Sequence, residues 1–212
     1  MALDLNHKRK NYTKATLDDT MKDEDPIQIF TDWYKMAEQV EASEENAMTL
    51  STVDQDNRPH ARIVLLKYFS KEGFEFYTNY KSNKGKHISA NAYVCLSFFW
   101  EALEKQVLIG GKVIKLSEDT SDEYFNVRPK ESQIAAIASE QSQPIASREV
   151  LIKKWEKLNK QSEGLKRPEN WGGYRVVPNY IEFWQGGEYR LHDRIRFTKN
   201  QDKKWQGERL SP

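Results

Sequence analysis

The segment RLHDR, Arg190 to Arg194, places basic side chains at alternate positions in a stretch otherwise rich in aromatic and branched residues. Residues two apart share one face of a β-strand, so a strand here puts Arg190, His192 and Arg194 on one side. Three cationic or polar groups on one face need water or an anionic partner. The spacing alone leaves both possibilities open. Asp193, on the reverse face, is predicted to make a structural ion pair.

Two further segments combine cations with hydroxyl neighbours. In RIVLLK, Arg62 and Lys67 are five positions apart, so a regular strand presents them on opposite faces, where they could serve two anions. In YTNYKSNKGK, Thr78 ends a predicted strand, and Ser82 and Lys84 stand near a predicted helix start. Free backbone N–H groups at a helix start favour phosphate, so this segment is a candidate phosphate site.

A third cluster, YFNVRPKES, contains Tyr124, Arg128 and Ser132 at intervals of four. Residues four apart share a helical face, although Pro129 interrupts a continuous helix. Taken singly, each cation in these clusters is more often a solvated surface charge, and each aromatic residue more often packs in a core. The residues alone therefore predict only phosphate-binding patches.

The rest of the sequence excludes several classes of functional site and partner. Signature motifs of dinucleotide-binding, P-loop, zinc-protease and serine-hydrolase sites are absent, and the four histidines lack ligand spacing, so no metal site is predicted. A formal net charge of +1 gives no reason to expect a nucleic acid or membrane partner. The single cysteine and the absence of a long apolar run are typical of a cytoplasmic protein.

Hydrophobic periodicity predicts a mainly β architecture with capping helices, an α+β class. A helix is predicted from Pro26 with Asp25 as its cap, and strands in hairpin order follow from Ala47. Strands in this order favour an antiparallel barrel or sandwich. We expect residues 1–24 to form a flexible N-terminal arm and residues 25–212 a single domain.

Taken together, the ordered motifs resemble one known family, that of the pyridoxamine/pyridoxine 5′-phosphate oxidases. The motifs that carry the resemblance are RIVLLK, FYTNY-x-S-x-KGK, FFWE-x-L-x-x-QV, YF-x-x-RP-x-x-SQI, S-x-QS, WGGY, EFWQG, RLHDR and the closing ERLSP. They run from about residue 25 to residue 212, so the resemblance covers nearly the whole chain.

The resemblance implies an FMN-binding split β-barrel that works as a homodimer, with FMN at the subunit interface. It also implies a pyridoxal 5′-phosphate synthase, which oxidises pyridoxamine 5′-phosphate and pyridoxine 5′-phosphate to pyridoxal 5′-phosphate. Oxygen is the acceptor, and H₂O₂ is the product. A role in vitamin B6 salvage follows.

Site residues are carried over by matching motifs. The implied FMN ligands are Arg62, Ile63, Val64, Leu65, Tyr77, Thr78, Lys84, Gln106, Gln141, Ser142, Trp184 and Arg194. The implied substrate-binding residues are Lys67, Tyr124, Arg128, Ser132, Arg190 and His192, of which Arg190 and His192 are also the implied catalytic residues.

Two alternatives stay open at this point. A related split-barrel flavoprotein could act on another substrate, although the implied substrate residues are all present. A non-catalytic flavin-binding or pyridoxal-phosphate-binding protein of the same fold is the second alternative. It is favoured only by Asn83, which stands where the family usually has arginine and predicts weaker FMN binding.

Overall fold

A computed structural model of the protein describes residues 3–8, 10–40, 44–160 and 164–212. The helices are α1 (Pro26–Gln39), α2 (Asn83–Ala90), α3 (Glu118–Val127), α4 (Lys130–Ala138) and α5 (Arg148–Lys160). The strands are β1 (Ala47–Val53), β2 (Pro59–Leu65), β3 (Tyr68–Ser70), β4 (Gly73–Asn79), β5 (Tyr93–Trp100), β6 (Lys105–Lys115), β7 (Trp171–Gln185), β8 (Asp193–Lys199) and β9 (Trp205–Leu210). None of the described helices combines the length and the apolar composition that a membrane-spanning helix needs.

The strands form one hydrogen-bonded sheet, in the order β2-β1-β5-β6-β7-β4-β3, and β8 pairs with both β7 and β9. The pairs β3–β4, β4–β7, β7–β8 and β8–β9 are antiparallel. The predicted β1–β2 hairpin and the mainly β class are confirmed. The final strand, β9, was not predicted, because its sequence WQGERL lacks the alternating apolar pattern of a strand.

The chain divides into two compact units. The first unit consists of Met1–Met48, Leu96–Gly110 and Asn179–Pro212. Its core includes α1, whose Asp25 carboxylate accepts a hydrogen bond from the Ile27 N–H at 2.9 Å, as predicted for a helix cap. Phe30 packs edge-on against Phe98 at 5.3 Å, and Trp33 packs in the same way against Phe183 at 5.0 Å.

The N-terminal segment makes specific contacts within this first unit. Leu17 and Met21 are buried, and the Leu17 N–H donates to the Asp193 carboxylate at 2.9 Å. The Thr13 and Lys14 N–H groups both donate to Glu104. Residues 1, 2 and 9 of the predicted arm lie outside the described residues, and the division into arm and domain stays a prediction.

The second unit consists of Thr49–Cys95 and Gly111–Pro178. Phe74, Phe76, Phe125 and Ile134 are fully buried in its core. This unit contains all of α2 to α5 together with β2, β3 and β4, so it carries the short elements that border the cavity described next.

Candidate active site

A cavity of about 860 Å³ lies within the second unit, a size typical of small-molecule sites. It is lined by Arg62, Ile63, Val64, Leu65, Lys67, Tyr77, Thr78, Asn79, Lys84, Tyr124, Arg128, Pro129, Ser132, Ala135, Ala136, Ser139, Gln141 and Trp171. The lining comes from β2 and the segment after it, β4, the start of α2, the end of α3, α4 and the segment after it, and the start of β7. Residues from three of the predicted segments, RIVLLK, YTNYKSNKGK and YFNVRPKES, therefore meet in one cavity, whereas RLHDR does not line it.

Arg62 and Lys84 form one group of cations in this cavity. The Arg62 guanidinium donates to the Leu50 carbonyl at 3.1 Å and to the Thr52 hydroxyl at 2.7 Å. The Lys84 ammonium is buried and lies 3.3 Å from the Thr78 hydroxyl and 3.2 Å from the Gln141 side-chain oxygen. Burial lowers the pKa of both cations, and repulsion by Arg62 further lowers that of Lys84. Within the described part of the chain, neither is paired with a carboxylate, so this group is suited to an anion.

Helix α2 places Lys84 at that position. The Ser82 side chain caps the helix by accepting from the Gly85 N–H at 3.3 Å, and its hydroxyl donates to the Asn79 carbonyl at 2.7 Å. A Cβ at position 85 would lie 2.1 Å from the Tyr80 carbonyl oxygen, so glycine allows the helix to start directly against the turn after β4. The start of the helix is thereby held beside the Arg62 and Lys84 cations.

Tyr124, Arg128 and Ser132 form a second group on the cavity wall. They do not share one continuous helix, because α3 ends at Val127 and Pro129 precedes α4, yet all three line the cavity. The Arg128 Nη1 atom is buried and has no hydrogen-bond partner among the described residues. A buried guanidinium nitrogen without an acceptor is costly, and an anionic ligand would satisfy it.

The position of Lys67 contradicts the expectation that Arg62 and Lys67 lie on opposite faces of one strand. β2 ends at Leu65, and Lys67 lies between β2 and β3, where its N–H donates to the Glu75 carbonyl at 2.9 Å. The parity rule for a regular strand therefore does not apply to Arg62 and Lys67. Both residues line the same cavity, so the prediction that they face opposite sides is wrong.

Most of the other predicted site residues of the second unit also line the cavity. Ile63, Val64 and Leu65 on β2, Tyr77 and Thr78 on β4, and Gln141 after α4 all line the cavity. Ser142 lies in an exposed turn with a φ of 70° and does not line it. Trp171 was not predicted as a site residue, although the motif WGGY contains it, because a single tryptophan is more often a packing residue.

The remaining predicted residues, Gln106, Trp184, Arg190, His192 and Arg194, belong to the first unit. The strand predicted over RLHDR begins only at Asp193. Tyr189 and Arg190 take positive φ values of 55° and 64° in a 3₁₀ turn, so the expected alternation of Arg190, His192 and Arg194 on one strand face is wrong. The turn that follows Gly186 and Gly187 replaces the first part of the predicted strand.

His192 is nevertheless held in a defined orientation. Its ring lies 4.8 Å from the Trp184 ring and 5.8 Å from that of Tyr12. The Gly187 N–H donates to His192 Nδ1 at 3.1 Å. Since Nδ1 is the acceptor, the neutral ring carries its proton on Nε2, which can donate to a ligand.

Arg194 is fixed by a buried carboxylate. Its guanidinium lies 2.7 Å from Glu182, which also pairs with Arg196 at 2.9 Å, and a further nitrogen donates to the Ser211 carbonyl at 3.0 Å. The predicted ion pair of Asp193 is confirmed, with Arg209 as its partner. These contacts hold β8, β7 and the end of the chain in register around Arg194.

Two family profiles match this chain. The profile described as "Pyridoxamine 5′-phosphate oxidase" matches residues 35–162, and the one described as "Pyridoxine 5′-phosphate oxidase C-terminal dimerisation region" matches residues 171–212. The chain belongs to the pyridoxamine 5′-phosphate oxidase family.

Curated members of this oxidase family are similar over nearly their whole length. A protein of Flavobacterium johnsoniae named pyridoxine/pyridoxamine 5′-phosphate oxidase is 53% identical, covering 98% of this chain and 99% of its own. A protein of the same name from Leptospira interrogans is 49% identical, covering 96% of each chain.

A solved structure confirms the fold of the family. PhzG of Burkholderia lata, solved in complex with tetrahydrophenazine-1-carboxylic acid, is 27% identical with a TM-score of 0.88, covering 93% of this chain and 98% of its own. The fold class predicted from the sequence, the split β-barrel of the pyridoxamine 5′-phosphate oxidase family, is thus confirmed.

Proposed function

We propose that this protein is an FMN-dependent oxidase that converts pyridoxamine 5′-phosphate and pyridoxine 5′-phosphate to pyridoxal 5′-phosphate, with O₂ as acceptor and H₂O₂ as product. The observation that carries this proposal is that four cations, Arg62, Lys84, Lys67 and Arg128, line one cavity. Cofactor and substrate each bear a phosphate, so the reaction requires two anion sites close together. The relatives named as this oxidase, at about half identity, support the same conclusion. A cytoplasmic location is part of the proposal.

The donor set of the cavity fits FMN. Arg62, Lys84 and the start of α2 together offer the charges and N–H groups that a phosphate monoester needs. We assign FMN binding to Arg62, Ile63, Val64, Leu65, Tyr77, Thr78, Lys84, Gln106, Gln141, Ser142, Trp184 and Arg194.

The second cation group fits the phosphate of the substrate. Arg128 has a buried nitrogen that no described residue accepts from, and Tyr124 and Ser132 supply hydroxyl donors on the same cavity wall. We assign this phosphate to Lys67, Tyr124, Arg128 and Ser132. An arginine fork and a lysine point charge together satisfy several phosphate oxygens.

In the proposed mechanism the chain places and polarises the substrate. When bound, FMN supplies the ring that accepts a hydride equivalent from C4′ of the substrate and passes two electrons to O₂. The phosphate contacts anchor one end of the substrate, while Arg190 covers the pyridine ring and the His192 Nε2–H donates to its 3-oxygen. Holding both ends reduces the entropic cost of the reactive pose. An amine substrate gives an imine, which water hydrolyses to the aldehyde.

A homodimer with FMN at the interface completes the proposal. The profile that matches residues 171–212 is described as a dimerisation region. All the residues that line the cavity belong to the second unit, whereas Gln106, Trp184, Arg190, His192 and Arg194 belong to the first. In the proposed dimer, these five residues of one copy contribute to the cavity of the other.

Anaerobic addition of pyridoxamine 5′-phosphate to the FMN-loaded protein tests the activity. We expect the yellow flavin absorbance to bleach, and admission of air to restore it with release of H₂O₂. A protein that binds FMN and the ligand but keeps its colour would be a non-catalytic binding protein, and the proposal would be wrong. Pyridoxamine without phosphate is the control, and it should bleach the flavin far more slowly.

A further inference from the structure

Many arginines among the described residues have a carboxylate partner. Arg167, Arg175, Arg194, Arg196 and Arg209 all pair with carboxylates, so much of their charge is already compensated. Arg128 is different: among the described residues it has no ion pair, and its guanidinium lies over the ring of Trp171, with 4.6 Å between the guanidinium carbon and the ring centroid.

The two kinds of contact have different consequences for an anion site. A carboxylate occupies the N–H edge of a guanidinium and cancels its charge. An aromatic ring contacts only the face, so the N–H donors at the edge and the full positive charge stay available. The Arg128 Nη1 atom has no hydrogen-bond partner in the described part of the chain, in agreement with this distinction.

Trp171 is well suited to be a rigid support. Its side chain is buried, and Phe125 of α3 packs edge-on against it at 5.5 Å. Its carbonyl accepts from the Arg167 guanidinium at 2.8 Å, and Arg167 is itself tied to Asp122 of α3 at 2.7 Å. Trp171 is therefore held against α3, the helix whose C-cap is Arg128.

The same indole borders the aromatic residues of the cavity. The Tyr77 and Tyr124 rings stack at 3.8 Å, and the Trp171 ring is nearly parallel to both, at 5.7 Å from Tyr77 and 6.3 Å from Tyr124. Trp171 thus contacts both Tyr124 and Arg128, two of the residues proposed to bind the substrate phosphate.

We propose that Trp171 is a positioning residue for the substrate phosphate, which orients Arg128 through its indole face and leaves the guanidinium edge free for the phosphate. This inference rests on the proposed function for the identity of the ligand. The role belongs to the indole face, so phenylalanine should preserve part of it and leucine should not.

Binding of an unreactive ligand pair tests the role separately from turnover. The probes are 4-deoxypyridoxine 5′-phosphate and 4-deoxypyridoxine, which lack the oxidisable group and differ only in the phosphate. The dissociation constants of both probes are measured on the FMN-loaded protein. The constant for 4-deoxypyridoxine divided by that for its 5′-phosphate reports the contribution of the phosphate to binding. We expect Trp171→Leu to reduce this ratio roughly tenfold and Trp171→Phe to reduce it only about twofold.

A double-mutant cycle with Arg128→Met separates positioning from general support of the fold. If Trp171 acts through Arg128, adding Trp171→Leu to Arg128→Met changes the ratio no further. An equal loss of affinity for both probes, or an additive loss in the double variant, would overturn the inference. If Trp171→Leu does not fold, Trp171→Phe with and without Arg128→Met provides the same comparison.

Failure of the inference and failure of the proposed function give different results. If the wild-type protein oxidises pyridoxamine 5′-phosphate but the ratio is unchanged in Trp171→Leu, the proposed function holds and the role of Trp171 is refuted. If the ratios of the wild type and the Trp171 variants are as expected but the wild type does not oxidise the substrate, the role of Trp171 holds and the proposed oxidase function is refuted. Wild-type protein with no preference for the phosphorylated probe refutes the role directly.

Discussion

Lys105 is a buried cation outside the cavity. Its ammonium donates to the Gln185 side chain at 2.5 Å and lies 3.9 Å from the centroid of the Trp33 ring, and it has no carboxylate partner among the described residues. Burial penalises the charged form and lowers the pKa of Lys105 to about 8, from the usual value of 10.5. The folded state thus releases this proton at lower pH than the unfolded state does.

The direction of the pH dependence follows from these two pKa values. Between about 8 and 10.5 the unfolded chain binds more protons at Lys105, so the free energy of unfolding rises with pH in this window. Relative to Lys105→Met, which does not titrate, we expect the wild type to gain on the order of 1 kcal/mol per pH unit above the folded pKa. Urea unfolding of both proteins, at pH values on either side of 8, measures the difference. Parallel stability curves would contradict the lowered pKa.

Asn83 is the exposed first residue of α2, directly before Lys84. The motif resemblance implies arginine at this position, and a charge-assisted contact to a phosphate contributes about 1.5–3 kcal/mol. We expect Asn83→Arg to tighten FMN binding by roughly tenfold or more, measured by quenching of flavin fluorescence. Ser89→Arg adds the same charge near the other end of the helix and should have little effect. Unchanged affinity in Asn83→Arg would argue against a phosphate beside position 83.

At the scale of elements, α2 and α3 both begin with a serine cap. Ser82 accepts from the Gly85 N–H, and Ser117 accepts from the Thr120 N–H at 3.1 Å. Only α2 begins beside the Arg62 and Lys84 cations, so the two caps differ in their expected role.

Substitution of each cap by alanine compares the two helix starts. We expect Ser82→Ala and Ser117→Ala each to lower the free energy of unfolding by about 1 kcal/mol, because one N–H loses its acceptor. Only Ser82→Ala should weaken FMN binding, since it releases the start of α2. Chemical denaturation and flavin titration of both variants measure the two effects. Equal flavin affinities would contradict the placement of the FMN phosphate at α2.

At the scale of the whole molecule, the proposed dimer predicts complementation between two defective copies. Arg62→Met changes the second unit and Arg194→Met the first, and each alone should bind FMN weakly. In a mixed dimer with an interface site, one site receives both defects and the other receives none. Two copies with different tags, purified through both tags, should therefore bind FMN with wild-type affinity at about half of their sites, as symmetry requires.

Two results would contradict this arrangement. Uniformly weak FMN binding in the doubly tagged sample would mean that Arg62 and Arg194 of the same copy serve one site. Failure to recover any doubly tagged protein would mean that the chain does not form the proposed homodimer.

The sequence determined those features that depend on local chemistry. The cap of α1, the β1–β2 hairpin and the start of α2 near Ser82 follow from short patterns of residues, because helix starts and tight turns are stabilised by neighbours in the chain. The family was also identifiable from ordered motifs, since those motifs contain the residues assigned to cofactor and substrate.

The tertiary structure decided which residues meet and how they are held. The alternation rule failed at Arg190 and Lys67, because strands end where the chain turns, and the turn depends on packing that the local pattern does not contain. β9 exists because β8 offers it an edge for pairing, although its own sequence lacks a strand pattern. The support of Arg128 by Trp171 joins residues far apart in sequence, so only the folded chain reveals it.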